Sequence, residues 1–265
     1  MTKTLLIRLD GTIQSWNSTP GNKERVTDPR PTKTAVVGML ANALGRDFED
    51  DISDIAAVDF AVRADRAGHL ERDYRTAGGS TYPALPADRL RGLPDGKNRL
   101  AWRPQTANHP AKNVNVDKPA PLTGVAPPAG KANPKQIADT LLVDACFTAA
   151  VTGDDALIDQ LAHALKRPAR ALFLGKKAHP LSQPPFAGVT DHDNPRTALT
   201  DTPPEHPTAD PGPWRIWYTA AANDLDGTII YDQPQHFGQR PQRTARAEAT
   251  GTVGGDPSAP LSDFF

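Results

Sequence analysis

Three groups of cations stand where they could hold phosphates. Arg25, Arg30, Lys33 and Thr34 lead into a segment with helical spacing. A helix N-terminus leaves backbone N–H groups unpaired and carries a partial positive charge, so it receives anions, and basic side chains ahead of it strengthen the field. The second group is Leu174-Gly175-Lys176-Lys177, followed by His179 and Pro180. A glycine turn with two lysines can lay backbone and charge along an RNA strand. The third, residues 233–247, carries Arg240, Arg243, Arg246 and His236 around Phe237, with no acid in the run. Arginines beside an aromatic suit single-stranded nucleic acid, whose bases stack and whose phosphates pair with cations. Trp16, in Gly-Thr-Ile-Gln-Ser-Trp, could stack a base in the same way. Each feature also has a plain reading: a capped helix with solvated arginines, a charged turn, a basic tail, and an aromatic that anchors its loop to the core.

Catalytic signatures are missing. There is no P-loop, G-x-G-x-x-G, G-x-S-x-G, H-E-x-x-H or paired C-x-x-C. The 7 histidines are scattered, and only His192, between Asp191 and Asp193, resembles a metal-ligand cluster; a polar turn suits it better. Cys146 sits alone in an apolar run and reads as a small buried hydrophobe. Metal-free RNA cleavage needs a general acid or base at a 2′-hydroxyl, and Tyr74, Lys176 and His179 qualify by residue type only. The expectation is a protein without catalytic residues, metal or cofactor.

The charge balance points the same way. The 265-residue chain has a formal net charge of -1. A free-standing, non-specific nucleic-acid binder carries a strong positive excess, so any RNA contact here must be a local patch offset by acids elsewhere. Asp47, Glu49, Asp50, Asp51 and Asp54 form one such offset and read as a solvated loop or helix face. No apolar run reaches membrane-spanning length, and the N-terminal run is too short for a signal peptide. A cytoplasmic location is expected.

The elements that must position these groups are partly legible. Residues 4–9 alternate as a strand. Thr32 after Pro31 caps a helix that Gly45 stops, with Val36, Val37, Leu40, Ala43 and Leu44 on one face. Gly38 inside it implies a close neighbour, such as a strand. Residues 57–64 and 69–76 read as two strands. Residues 77–138, with ten prolines between Pro83 and Pro134, form a long arm that is either disordered or ordered by a partner. A strand over 140–151, a helix over 155–166 capped by Asp154, and a strand over 169–174 follow. A proline-rich stretch at 178–213 precedes two strand candidates within 214–231. The pattern is β-α-β-β-arm-β-α-β, a split βαβ arrangement with helices on one sheet face and the other face open. The fold class expected is α+β. Its core is a modified RRM or ferredoxin-like domain over 1–76 and 139–247, with an inserted arm at 77–138. The C-terminal part is irregular and contains strands, and 248–265 is a flexible tail.

The motifs in series resemble the CasD family of type I-E CRISPR Cascade complexes. They are Gly11-Thr12-Ile13-Gln14-Ser15-Trp16, Pro31-Thr32-Lys33, Arg72-Asp73-Tyr74-Arg75-Thr76-Ala77-Gly78-Gly79, Leu174-Gly175-Lys176-Lys177-Ala178-His179-Pro180-Leu181 and Asp232-Gln233-Pro234-Gln235-His236-Phe237. The resemblance spans about residues 1–245. It implies a non-catalytic ribonucleoprotein subunit in antiviral defence that binds and caps the 5′ handle of the CRISPR RNA. It also implies contacts with the Cascade backbone subunit and large subunit, and with target DNA only indirectly. The arm becomes a thumb lying across the guide, with Arg89, Arg91, Arg99, Trp102 and Arg103 on it. The RNA-binding residues implied are Gln14, Trp16, Arg25, Arg30, Thr32, Lys33, Thr34, Arg75, Lys176, Lys177, His236, Arg240 and Arg243. The alternative is a metal-independent endoribonuclease that processes precursor CRISPR RNA, as type I-C relatives do.

Overall fold

The computed structural model describes residues 2–17, 24–77, 135–204, 212–220, 227–238 and 242–254. Its centre is a mixed α/β arrangement around an antiparallel sheet. Strand β1 (Thr2–Gln14) places Leu5, Ile7 and Leu9 in the main core and Leu6 in a second cluster on the opposite face. That is the period-2 alternation of a strand buried on both sides. A short strand, β2 (Glu24–Arg25), follows. Helix α1 (Lys33–Leu44) begins at the expected cap, where the Thr32 hydroxyl accepts from the Ala35 N–H at 3.3 Å, and ends at Gly45 in the left-handed conformation. Helix α2 (Ser53–Ala56) leads into β3 (Asp59–Arg66) and β4 (His69–Ala77).

Strand β5 (Lys135–Asp154) pairs antiparallel with both β1 and β3. Helix α3 (Asp155–Lys166) starts where Asp154 accepts from the Ala156 N–H at 2.9 Å, and buries Ile158, Leu161 and Leu165. The strand expected at 169–174 does not form. Leu174 is buried and Leu172 packs on the core, but only an isolated bridge joins Phe173 to Pro180. The apolar residues there fill the core from a loop. The sheet position is taken instead by β6 (Phe186–Thr190), inside the proline-rich stretch.

Helix α4 (Pro195–Asp201) also lies in that stretch, capped by Asn194 with Pro195 in its first turn. Its Ala198 and Leu199 join Leu6, Ala61, Ala150 and Ile216 in the second cluster. The face expected to be open is therefore covered in part. Arg63, buried in β3, donates to the Leu199 and Thr202 carbonyls at the end of α4 and bonds Asp65 at 2.6 Å. Strands β7 (Trp214–Thr219), β8 (Thr228–His236) and β9 (Gln242–Val253) complete the sheet. Its order is β6-β1-β5-β3-β7-β9-β8, with β2 and β4 also pairing β5. Residues 242–247, read as part of a basic tail, and 248–253, placed in a flexible tail, are thus strand. Their alternation pairs them with β7 and β8.

The chain divides into two compact units, one of 1–21, 25–72 and 140–265, the other of 22–24 and 73–139. In the second unit, Arg75 forms an ion pair with Asp139. The thumb candidates Arg89, Arg91, Arg99, Trp102 and Arg103 lie outside the described residues, as does Arg240. Among the described residues, no helix is long and apolar enough to cross a membrane.

Candidate nucleic-acid interface

The Gln14–Trp16 segment is structural in detail. Gln14 is buried; its amide donates to the Leu9 carbonyl at 3.1 Å and the Ala145 carbonyl at 2.7 Å. Its oxygen accepts from the Trp16 indole N–H at 2.9 Å. Trp16 is 1% exposed, so its ring fills the core rather than meeting a base.

The turn at Leu174-Gly175 docks on this segment. The Ser15 N–H donates to the Leu174 carbonyl at 3.2 Å, and the Ser182 N–H to the Asp10 carbonyl at 2.8 Å. A Cβ on Gly11 would fall 2.8 Å from the Pro180 carbonyl oxygen. The two glycine motifs are therefore the two halves of one close backbone contact. Lys176 and Lys177 follow directly, Lys177 exposed and Lys176 half-buried.

A second segment docks from the other side. The Asp28 N–H donates to the Trp16 carbonyl at 2.6 Å, Trp16 N–H to the Thr27 hydroxyl at 2.7 Å, and the Asn17 amide to the Val26 carbonyl at 2.5 Å. That brings exposed Arg25 to the same place. From β9, the Arg243 guanidinium reaches the Asn17 carbonyl at 3.5 Å. Cations from three distant stretches, at 25, 176–177 and 243, thus gather around residues 15–17. His236, half-buried on β8, accepts from the Gly238 N–H at 3.3 Å.

Arg30, Thr32, Lys33 and Thr34 are buried. The N-terminus of α1, expected to be open to phosphate, is filled by this chain's own Asp232. The Asp232 carboxylate accepts from the Lys33 backbone N–H at 2.8 Å, and its backbone carbonyl accepts from the Thr34 hydroxyl at 2.5 Å. Arg246 adds bonds to Asp232 at 2.6 and 3.0 Å and to Glu248 at 2.6 Å, and Glu248 also pairs with Arg30. Arg30 lies 5.7 Å from the Trp217 ring centre and Arg246 5.5 Å from that of Phe60. Burial and the neighbouring Arg246 push the Lys33 ammonium down to about 8, and burial lowers Arg30 as well. Asp232, Arg246 and Glu248 were not among the expected site residues. Their sequence signal is the R-x-E pair at strand spacing, which puts both side chains on one face. Phe237 supplies the close neighbour of Gly38, 3.6 Å from where a Cβ would sit; it follows β8 rather than lying in a strand.

The acidic run forms a braced loop. Arg46 bonds Asp54 at 2.5 Å, and Arg170 bonds the Gly45 carbonyl at 2.8 Å and Asp47 at 2.5 Å. His192 bonds Asp201 at 3.0 Å and Thr190 at 3.1 Å, tying β6 to α4. Burial pushes the Cys146 thiol up to about 12, which keeps it protonated and inert. His179 is buried, and its N–H donates to the Lys176 carbonyl at 2.8 Å in a tight turn.

Comparison with known proteins agrees with this arrangement in extent. The chain is 26% identical over 213 residues to the CRISPR system Cascade subunit CasD of Escherichia coli (strain K12), covering 77% of this chain and 79% of that one. A crystal structure of a Cas protein matches with a TM-score of 0.59 and 27% identity, covering 94% of both chains. A chain of a CRISPR RNA-guided surveillance complex matches with a TM-score of 0.63 and 25% identity, covering 94% of this chain and 90% of that one. The family model described as CRISPR-associated protein (Cas_Cas5) matches residues 4–250, and the chain belongs to that Cas5 family.

Proposed function

We propose that this chain is a non-catalytic subunit of a Cascade-type, RNA-guided surveillance complex, and that it holds the 5′ handle of the guide RNA on the cationic rim around residues 15–17. The observation that carries the reading is the gathering of Arg25, Lys176, Lys177 and Arg243 at one segment from three parts of the chain. Its relatives support it, one being a Cascade subunit and another a chain of a surveillance complex. The strand order β6-β1-β5-β3, with α1 and α3 on one face, supports an RRM-like core. In this reading the arm at 77–138 is the thumb. The protein caps the complex against the backbone and large subunits and meets target DNA only through them.

The test is binding of a repeat-derived, 5′-labelled RNA by the full chain, read by fluorescence anisotropy across a salt series. A Lys176→Ala/Lys177→Ala/Arg243→Ala variant loses affinity, and its salt slope flattens by about 0.7 for each lost phosphate contact on a single strand. An unchanged affinity and slope would put these cations in bulk solvent and remove the reading.

A further inference from the structure

The buried cluster at the start of α1 is out of balance. Arg30, Lys33 and Arg246 face Asp232 and Glu248, all of them buried. Arg246 and both carboxylates are fully engaged with one another and with Arg30. Two donors are left over. Arg30 Nε is buried with no hydrogen-bond partner. The Lys33 ammonium has no acceptor among the described residues, although the residue is only 4% exposed. The charges that face it are Arg246, Asp59 and Asp232. A buried cation without a partner is costly, and an anion brought to it recovers that cost.

The cluster is continuous with the rim proposed to hold RNA. The segment that carries exposed Arg25 runs into Arg30 and Lys33, and strand β9 carries exposed Arg243 and then buried Arg246. Three residues of strand span about 10 Å, close to the reach between neighbouring or next-neighbouring phosphates of an extended single strand. The hydrogen bonds already used at the helix start leave no room for the phosphate there, since Asp232 holds the Lys33 N–H. What remains available is side-chain charge.

We propose that Lys33, with Arg30 beside it, receives one backbone phosphate of the RNA strand that lies on the Arg25–Arg243 rim. This rests on the function proposed above and extends the contact from the exposed cations into the buried pair. Binding then converts an uncompensated buried cation into a paired one, so this single contact is stronger than that of a surface lysine. Because burial holds the Lys33 ammonium near the point of losing its proton, RNA binding at mildly alkaline pH takes up a proton there.

The test uses the full-length chain and a 5′-labelled, single-stranded repeat RNA, comparing wild type with Lys33→Met and Lys33→Arg. Methionine keeps the apolar stem and removes the buried charge, so the melting temperature holds or rises. The expected result for Lys33→Met is an affinity loss of about 10-fold with a salt slope flatter by about 0.7, and substantial retention in Lys33→Arg. Calorimetry at alkaline pH in two buffers of different ionisation enthalpy shows proton uptake in the wild type and none in Lys33→Met. Unchanged RNA affinity and slope in Lys33→Met overturn the inference, even if binding to a partner subunit weakens, since that would assign the cation to a protein carboxylate. Full competition by millimolar inorganic phosphate at matched ionic strength also overturns it. The triple variant Lys176→Ala/Lys177→Ala/Arg243→Ala separates the two claims. If it loses affinity while Lys33→Met does not, only this inference fails; if neither loses affinity, the RNA-binding reading fails with it.

Discussion

Gly175 lies so close to Ser15 that a Cβ built on it would fall 1.7 Å from the Ser15 carbonyl oxygen. Its φ of 87° adds a backbone conformation that side chains rarely adopt. Ser15 belongs to one family motif and Gly175 to another, and their contact aligns the lysine turn with the segment where the other cations gather.

Gly175→Ala therefore destabilises the protein by about 3 kcal/mol or more, through backbone strain and a clash with main chain that cannot move aside. Gly153→Ala is the contrast. There a Cβ would make an ordinary 3.4 Å contact with Val58, and the change stays within about 1 kcal/mol. Urea unfolding midpoints of the two variants check the difference.

Asp232→Ala removes the acceptor of the Lys33 N–H and the main partner of Arg246 together. It leaves buried cations uncompensated and costs about 3–5 kcal/mol. Asp232→Asn keeps an acceptor at the helix start but not the charge, so its loss is smaller. Equal losses in the two variants, measured by denaturant titration, would contradict a charge-based role.

Lys33 gives stability a pH signature. Folding lowers its pKa from 10.5 to about 8. Below about 8 the amine is charged in both states and the folded protein carries the full burial penalty. Between about 8 and 10.5 the unfolded chain binds more protons, so stability rises with pH, by a few kcal/mol at most. Thermal melts across that range should show the rise in wild type and a flatter profile in Lys33→Met.

Trp16→Ala opens a large cavity in the core and costs about 3–5 kcal/mol. Measured well below the melting temperature, RNA affinity per folded molecule stays near that of wild type. A selective affinity loss with unchanged stability would mean that the indole turns outward to stack on a base.

Local chemistry alone settled a good part of this molecule. Thr32 and Gly45 bound α1 and Asp154 starts α3, because caps and apolar periodicity act within a few residues. The inert burial of Cys146 was legible for the same reason, as was the core role of Trp16 as one of its two readings. The motif order was enough to suggest the family. Tertiary structure decided the rest. The run at 169–174 has a strand's composition, yet Leu174 is already buried from a loop and β6 takes the edge position. Only the fold brings Asp232 to Lys33, 199 positions apart, and turns an expected anion site into an occupied one. Only the fold separates Lys33, buried against Arg246, from Lys177, left in water. Charge type is written in the residue, but burial and pairing depend on which distant strand arrives beside it.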